Sequence, residues 1–180
     1  ASPARVREDT LAGTEFEHRE TKSTRFERTV EAGGESRDLR LTNWVTRYTR
    51  PITGVETEVI RFTYLTTPTV SVAGQAVNPL QQFDEKRLVQ TVVQQQQTGL
   101  VTNVTATGER TATVLDSDVS FTEFDGETAA EGVELRLYLG DTTNDGDFVV
   151  IFGLHPKLVD FSDEIYTLAG GTEHPTEEPQ

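Results

Sequence analysis

Residues 148–154 read Phe-Val-Val-Ile-Phe-Gly-Leu, so any strand they form is apolar on both sides. Such a strand needs cover above and below, which already excludes a sheet with one face left to water. Other segments alternate. In residues 37–50, Leu39, Leu41 and Val45 share one face while Arg40, Trp44, Tyr48 and Arg50 share the other. In 57–66, Val59 and Leu65 oppose Ile60, Phe62 and Tyr64. Further strands are expected at 14–22, 24–31, 69–72, 100–107, 110–116, 118–124, 133–140 and 147–155. Turns are expected at Gly33-Gly34, Pro51, Gly74, Asn78-Pro79, Gly108, Asp125-Gly126 and Asn144-Asp145-Gly146.

Three helices are expected beside these strands. Ser2-Pro3 reads as an N-cap with proline at the first helical position, opening a helix over 3–12 that stops at Gly13. Asp84 caps a helix over 85–97, whose Leu88, Val89, Val92 and Val93 form one apolar stripe. The wet run Gln94–Gln97 ends it before Gly99, and a last helix covers 161–169. Strands joined by tight turns pair antiparallel. The expected fold is therefore α+β, a predominantly antiparallel sheet flanked by helices on both faces. A β-sandwich with one appended helix is the alternative. With 180 residues and no internal linker, positions 1–171 make a single α+β domain, and the acidic stretch 172–180 makes a flexible tail.

Charge constrains the surroundings. The chain has 30 Asp+Glu against 16 Lys+Arg, a net charge of -14, and the acids are spread from Glu8 to Asp163. The cations are 13 Arg and only 3 Lys. In dilute buffer such a field repels itself and opposes compaction. In molar salt the Debye length shrinks to roughly 3 Å, and hydrated carboxylates remain as a soluble surface. The expected habitat is brine, with an ordinary acidic protein as the plainer reading. The same field speaks against nucleic acid, because affinity for phosphates falls steeply with salt. No Cys is present, so disulfides, thiolate metal sites and thiol nucleophiles are excluded. No apolar run approaches the roughly 20 residues that span a bilayer. The chain opens without Met, as a processed or truncated product does; it shows no signal peptide, and one removed earlier is compatible with it.

Several segments carry a resemblance: Ala1-Ser2-Pro3-Ala4-Arg5-Val6; Leu41-Thr42-Asn43-Trp44-Val45 with Tyr48 and Arg50; Thr67-Pro68 with Gly74 and Asn78-Pro79; and Asp147-Phe148-Val149-Val150 with Gly153 and His155-Pro156. Together they resemble a family of uncharacterised haloarchaeal lipoproteins over nearly the whole chain. The resemblance implies a domain outside the cell, tethered through a lipidated N-terminal Cys that this sequence does not contain. The order of elements is similar to the PsbP type of α/β/α sandwich, which implies scaffold or binding roles. Fold analogy is a weak warrant for function.

Two constellations are candidate sites. Arg40, Trp44, Tyr48 and Arg50 share a strand face and offer a binding surface, since aromatics and arginines dominate recognition hot spots. The plainer reading packs a helix on Trp44 and pairs the arginines with neighbouring acids. Asp141, Asp145 and Asp147 partly fit a calcium loop. Thr143 and Phe152 replace ligands of that pattern, and the plainer reading is a hairpin turn. His18, His155 and His174 are too scattered for a zinc motif. His155 reads as a structural cap at a sheet edge, and His174 falls in the tail. No nucleophile elbow, phosphate loop or dinucleotide fingerprint occurs, so neither a cofactor nor a catalytic residue is assigned. The functional expectation is a non-catalytic cell-surface domain that binds or scaffolds an envelope protein or small ligand. Its contact with the membrane would run through the lipid anchor alone. The alternatives are a secreted carboxylate-dependent hydrolase and a small solute- or ion-binding lipoprotein.

Overall fold

A computed structural model describes residues 1–32, 34–50, 60–72, 75–77, 101–128 and 132–176. Seven long strands form one antiparallel sheet. They are β2 (Glu17–Ala32), β3 (Glu35–Thr49), β4 (Arg61–Pro68), β7 (Val101–Val114), β8 (Ser117–Thr128), β9 (Glu134–Asn144) and β10 (Asp147–Pro156). Their order is β2-β3-β4-β10-β9-β8-β7, so two meanders meet along the β4–β10 pair. Two short ribbons accompany the sheet: β1 (Arg5–Val6) with β11 (Thr172–Glu173), and β5 (Val70–Val72) with β6 (Gln75–Val77). The helices are α1 (Glu8–Ala12) and α2 (Ser162–Gly170).

β10 is central and buried along its whole length, as its two-sided apolar sequence requires. Its odd residues Val149 and Ile151 face one core with Phe62, Tyr64, Tyr138 and the α2 residues Ile165 and Leu168. Its even residues Phe148, Val150, Phe152 and Leu154 face a second core with Leu65, Leu135, Leu137 and Leu139.

The expectation of helices on both faces is overturned, and with it the likeness to an α/β/α sandwich. The chain is mostly β, and among the described residues the two short helices both pack on the first face, α1 through Leu11. The 85–97 helix lies outside the described residues, as do the turns at Pro51, Gly74 and Asn78-Pro79. The helix expected over 3–12 is reduced to residues 8–12. Before it, Ala4 and Val6 are buried while Arg5 between them is exposed, a period of two, and β1 pairs with β11. Residues 161–169 do form a helix, one residue displaced.

Two expected turns are strand interior. Gly108 sits inside β7 at a register shift. Gly126 sits inside β8, where a Cβ would stand 3.0 Å from both Leu137 Cδ1 and Val101 Cγ1, so close packing and not chain reversal requires it. The β7–β8 reversal falls instead at Leu115-Asp116, with φ of 52° and 63°. The β9–β10 reversal is where the sequence puts it: Asp145 and Gly146 have φ of 50° and 80°, the positive pair of a type I′ turn. Residues 172–176, placed in the tail on composition, are tied to the body. Beyond β11, Thr176 Oγ1 donates to Pro3 O at 2.7 Å and His174 is buried.

Candidate functional site

The N-terminal strap crosses one end of the first face and leaves a pocket between itself and the β2–β3 edge. The strap is fixed by backbone pairing with β11 and by Arg7 N–H donating to Gly171 O at 2.8 Å. Val6 N–H donates to the Tyr48 hydroxyl at 2.9 Å, and Thr66 Oγ1 donates to Ser2 O at 2.8 Å. The pocket measures about 370 Å³. Pro3, Ala4, Val6 and Leu11 give it apolar walls, and His18, Thr21 and Tyr48 form its floor. Strand register makes that floor: His18 lies opposite Tyr48, and their rings meet edge to face at 5.5 Å. His18 Nε2 lies 2.8 Å from Thr21 Oγ1. Arg5 and Glu8 stand at the rim, and Arg5 Nε donates to Glu173 at 2.8 Å. That bond to Glu173 holds the Arg5 pKa above its ordinary value. Burial raises the Tyr48 pKa, so its phenol stays protonated at neutral pH.

Of the four residues expected to form a surface, only Tyr48 reaches this pocket. Arg40 is exposed on the β2–β3 ribbon and pairs with Glu27 at 2.9 Å. Trp44 is 8% exposed, and its indole Nε1 has no hydrogen-bond partner among the described residues. Arg50 lies just past β3 and lashes the sheet to α2. It bonds Glu15 at 2.7 Å and Glu164 at 2.8 Å, with its guanidinium 4.3 Å above the Phe161 ring. These four residues thus have four separate environments rather than one surface.

The three aspartates are also separated. Asp141 is paired in register with Val150, on the second face, whereas Asp147 points to the first face and Asp145 occupies the turn. Among the described residues no group of three or more His, Asp or Glu is arranged to hold a metal ion. Asp147 instead anchors both chain ends: its Oδ2 accepts from Ser2 N–H at 2.8 Å and lies 3.0 Å from His174 Nε2. His174 Nδ1 lies 2.8 Å from Asn144 Oδ1. Composition alone could not find this junction, because it joins residues 2, 144, 147 and 174.

His155 is likewise enclosed. Burial pushes its pKa down, leaving a neutral ring whose Nδ1–H donates to Pro156 O at 2.7 Å while Nε2 accepts from the Tyr138 hydroxyl at 2.8 Å. Two carboxyl groups, Glu20 and Asp160, are shifted down. Burial raises Glu20, but its bond and attraction to Arg47, with help from Lys22, outweigh that. Asp160 is lowered by accepting from the Ser162 hydroxyl and backbone N–H.

A mostly-β domain built on one seven-stranded antiparallel sheet is the class these features define. The chain belongs to the family described as domain of unknown function DUF6517, whose model matches residues 3–173. No curated protein and no solved structure matches it.

Proposed function

We propose that this is a non-catalytic, salt-adapted domain of the haloarchaeal cell surface, tethered by an N-terminal lipid anchor, which binds or scaffolds an envelope component. The observation that carries it is the placement of acid: among the described residues Asp147 is the only buried carboxylate. A surface of dispersed carboxylates is tolerable where dense ions screen it. Against hydrolysis stands the chemistry of paired carboxylates, which needs one carboxyl held protonated near neutral pH. Glu20 and Asp160 shift the opposite way. His155 has both ring nitrogens engaged and is unable to serve as a base without breaking a buried bond.

The pocket under the strap favours one version of this reading, in which a small ligand is what the domain binds. Crosslinking on intact cells kept in native brine, read by mass spectrometry, tests the proposal. The expected result is reproducible links to an envelope protein. Links to cytoplasmic proteins only, or hydrolysis of an envelope polymer by the purified domain, would overturn it.

A further inference from the structure

We propose that the pocket between the N-terminal strap and the β2–β3 edge binds a small, neutral, amphipathic molecule through a carbonyl-type acceptor. This deepens the binding reading above by naming a ligand class. It is tested by occupancy and not by partner capture, so either can fail alone.

Size is the first argument. At about 370 Å³ the space lies at the lower end of the range of ligand sites, roughly 300–1,000 Å³. The lining is the second. Pro3, Ala4, Val6 and Leu11 supply apolar wall, and a few polar groups converge on one side, the usual make-up of a small-molecule site.

The third argument concerns Tyr48. Its oxygen accepts the Val6 N–H at 2.9 Å, so its own hydrogen is left to donate, and no acceptor for it occurs among the described residues. The side chain is 2% exposed, yet it lines the pocket. A buried hydroxyl donor without an acceptor is costly by about 1–3 kcal/mol, and a ligand carbonyl seated in the pocket relieves it. His18 and Thr21, already bonded to one another, hold the adjoining floor in place.

Charge is the fourth argument. Arg5 at the rim is matched by Glu173, and Glu8 adds a negative charge. An anionic ligand would meet no uncommitted Arg or Lys among the described lining residues, inside a protein of net charge -14. A cation would have to compete with molar salt for a single exposed carboxylate. A neutral acceptor-bearing molecule fits where neither ion does. Its apolar body would rest on Pro3, Ala4 and Leu11 while its acceptor faces the Tyr48 hydroxyl.

The test is an NMR titration of the isotope-labelled protein in brine with benzamide, benzoate and benzylamine in parallel. Benzamide should shift the amides of Val6, His18 and Thr21 saturably, and should bind about tenfold tighter than either ion. Tyr48→Phe should weaken benzamide about tenfold, the equivalent of one hydrogen bond. Because Tyr48→Phe also removes the acceptor for Val6 N–H, a second variant is needed. Thr21→Trp, on the edge strand, should block the pocket and abolish the shifts while the protein still melts cooperatively. The proposal is overturned by no saturable shift at these amides, by tighter binding of benzoate or benzylamine, or by undiminished benzamide binding in a folded Thr21→Trp protein.

Discussion

The two faces of the sheet are filled with different chemistry. The core between the sheet and its helices holds all 4 tyrosines of the chain, Tyr48, Tyr64 and Tyr138 from strands and Tyr166 from α2. Each phenol has a partner: Val6 N–H for Tyr48, Thr172 for Tyr64, His155 for Tyr138 and Glu123 for Tyr166. The opposite face carries no tyrosine: its described apolar cluster is Val, Leu and Phe, with Arg61, Thr63, Thr67 and Thr122 buried beside it. The partners explain the contrast. On the first face short segments cross the sheet, including the strap, β11 and α2, and each needs one place to lie. Apolar burial is non-directional, whereas a buried hydrogen bond has one geometry. At Tyr48, Tyr64 and Tyr166 tyrosine supplies both, a ring for the core and a hydroxyl that ties a crossing segment to the sheet. Among the described residues, the phenols of the first face thus add position to the apolar burial that both faces share.

Alkali should break the comparison most severely. Burial is the leading cause that raises the pKa of all four tyrosines. A group whose folded pKa lies above its unfolded value stabilises below the unfolded value, about pH 10 for tyrosine, and that contribution is lost as pH rises through the folded one. Tyrosinate absorbance should therefore stay flat past about pH 10 and then rise in one cooperative step with the loss of circular dichroism. A gradual rise centred on the free-tyrosine value would show that the first face is not closed.

Next in size is truncation on the second face. Phe152 is 1% exposed, and Phe152→Ala should cost about 3–5 kcal/mol in denaturant unfolding, with the alkaline step moved only through overall stability. Gly140→Ala is the overpacking counterpart on the tyrosine face. Its Cβ would stand 2.6 Å from Phe121 Cε1, and a loss of about 1–3 kcal/mol is expected. Tyr64→Phe should cost least, about 0.5–1.5 kcal/mol, because Thr172 Oγ1 keeps its bond to Ala169 O. Its distinguishing sign is local: hydrogen exchange in β11 and β1 should rise more than in β10. Equal acceleration throughout would mean that the hydroxyl does not position the crossing strand.

Sequence conveyed the elements whose signals are local. Asn144-Asp145-Gly146 specifies its turn because positive φ at two successive residues suits that composition. The buried strand at 148–154 follows from its lack of any polar side. What failed were local signals overruled by distant partners. Pro3 reads as a helix start, yet β11, more than 160 residues away, draws Arg5-Val6 into a ribbon. Gly126 reads as a turn, yet Leu137 and Val101 require it inside a strand. The site was hidden for the same reason. Its floor and walls come from residues 3–11, 18–21, 48 and 176, and only Tyr48 stood among the expected binding residues. A shared strand face placed Arg40, Trp44 and Tyr48 together, but which of them meets water, core or pocket depends on the strap crossing above.

All of these faces lie beneath a coat of carboxylates, and circular dichroism during dialysis from about 3 M to about 50 mM KCl asks whether that coat needs brine. Cooperative unfolding as the salt is withdrawn, reversed when it is restored, is the expected result. An unchanged spectrum and melting temperature at the lowest salt would contradict it.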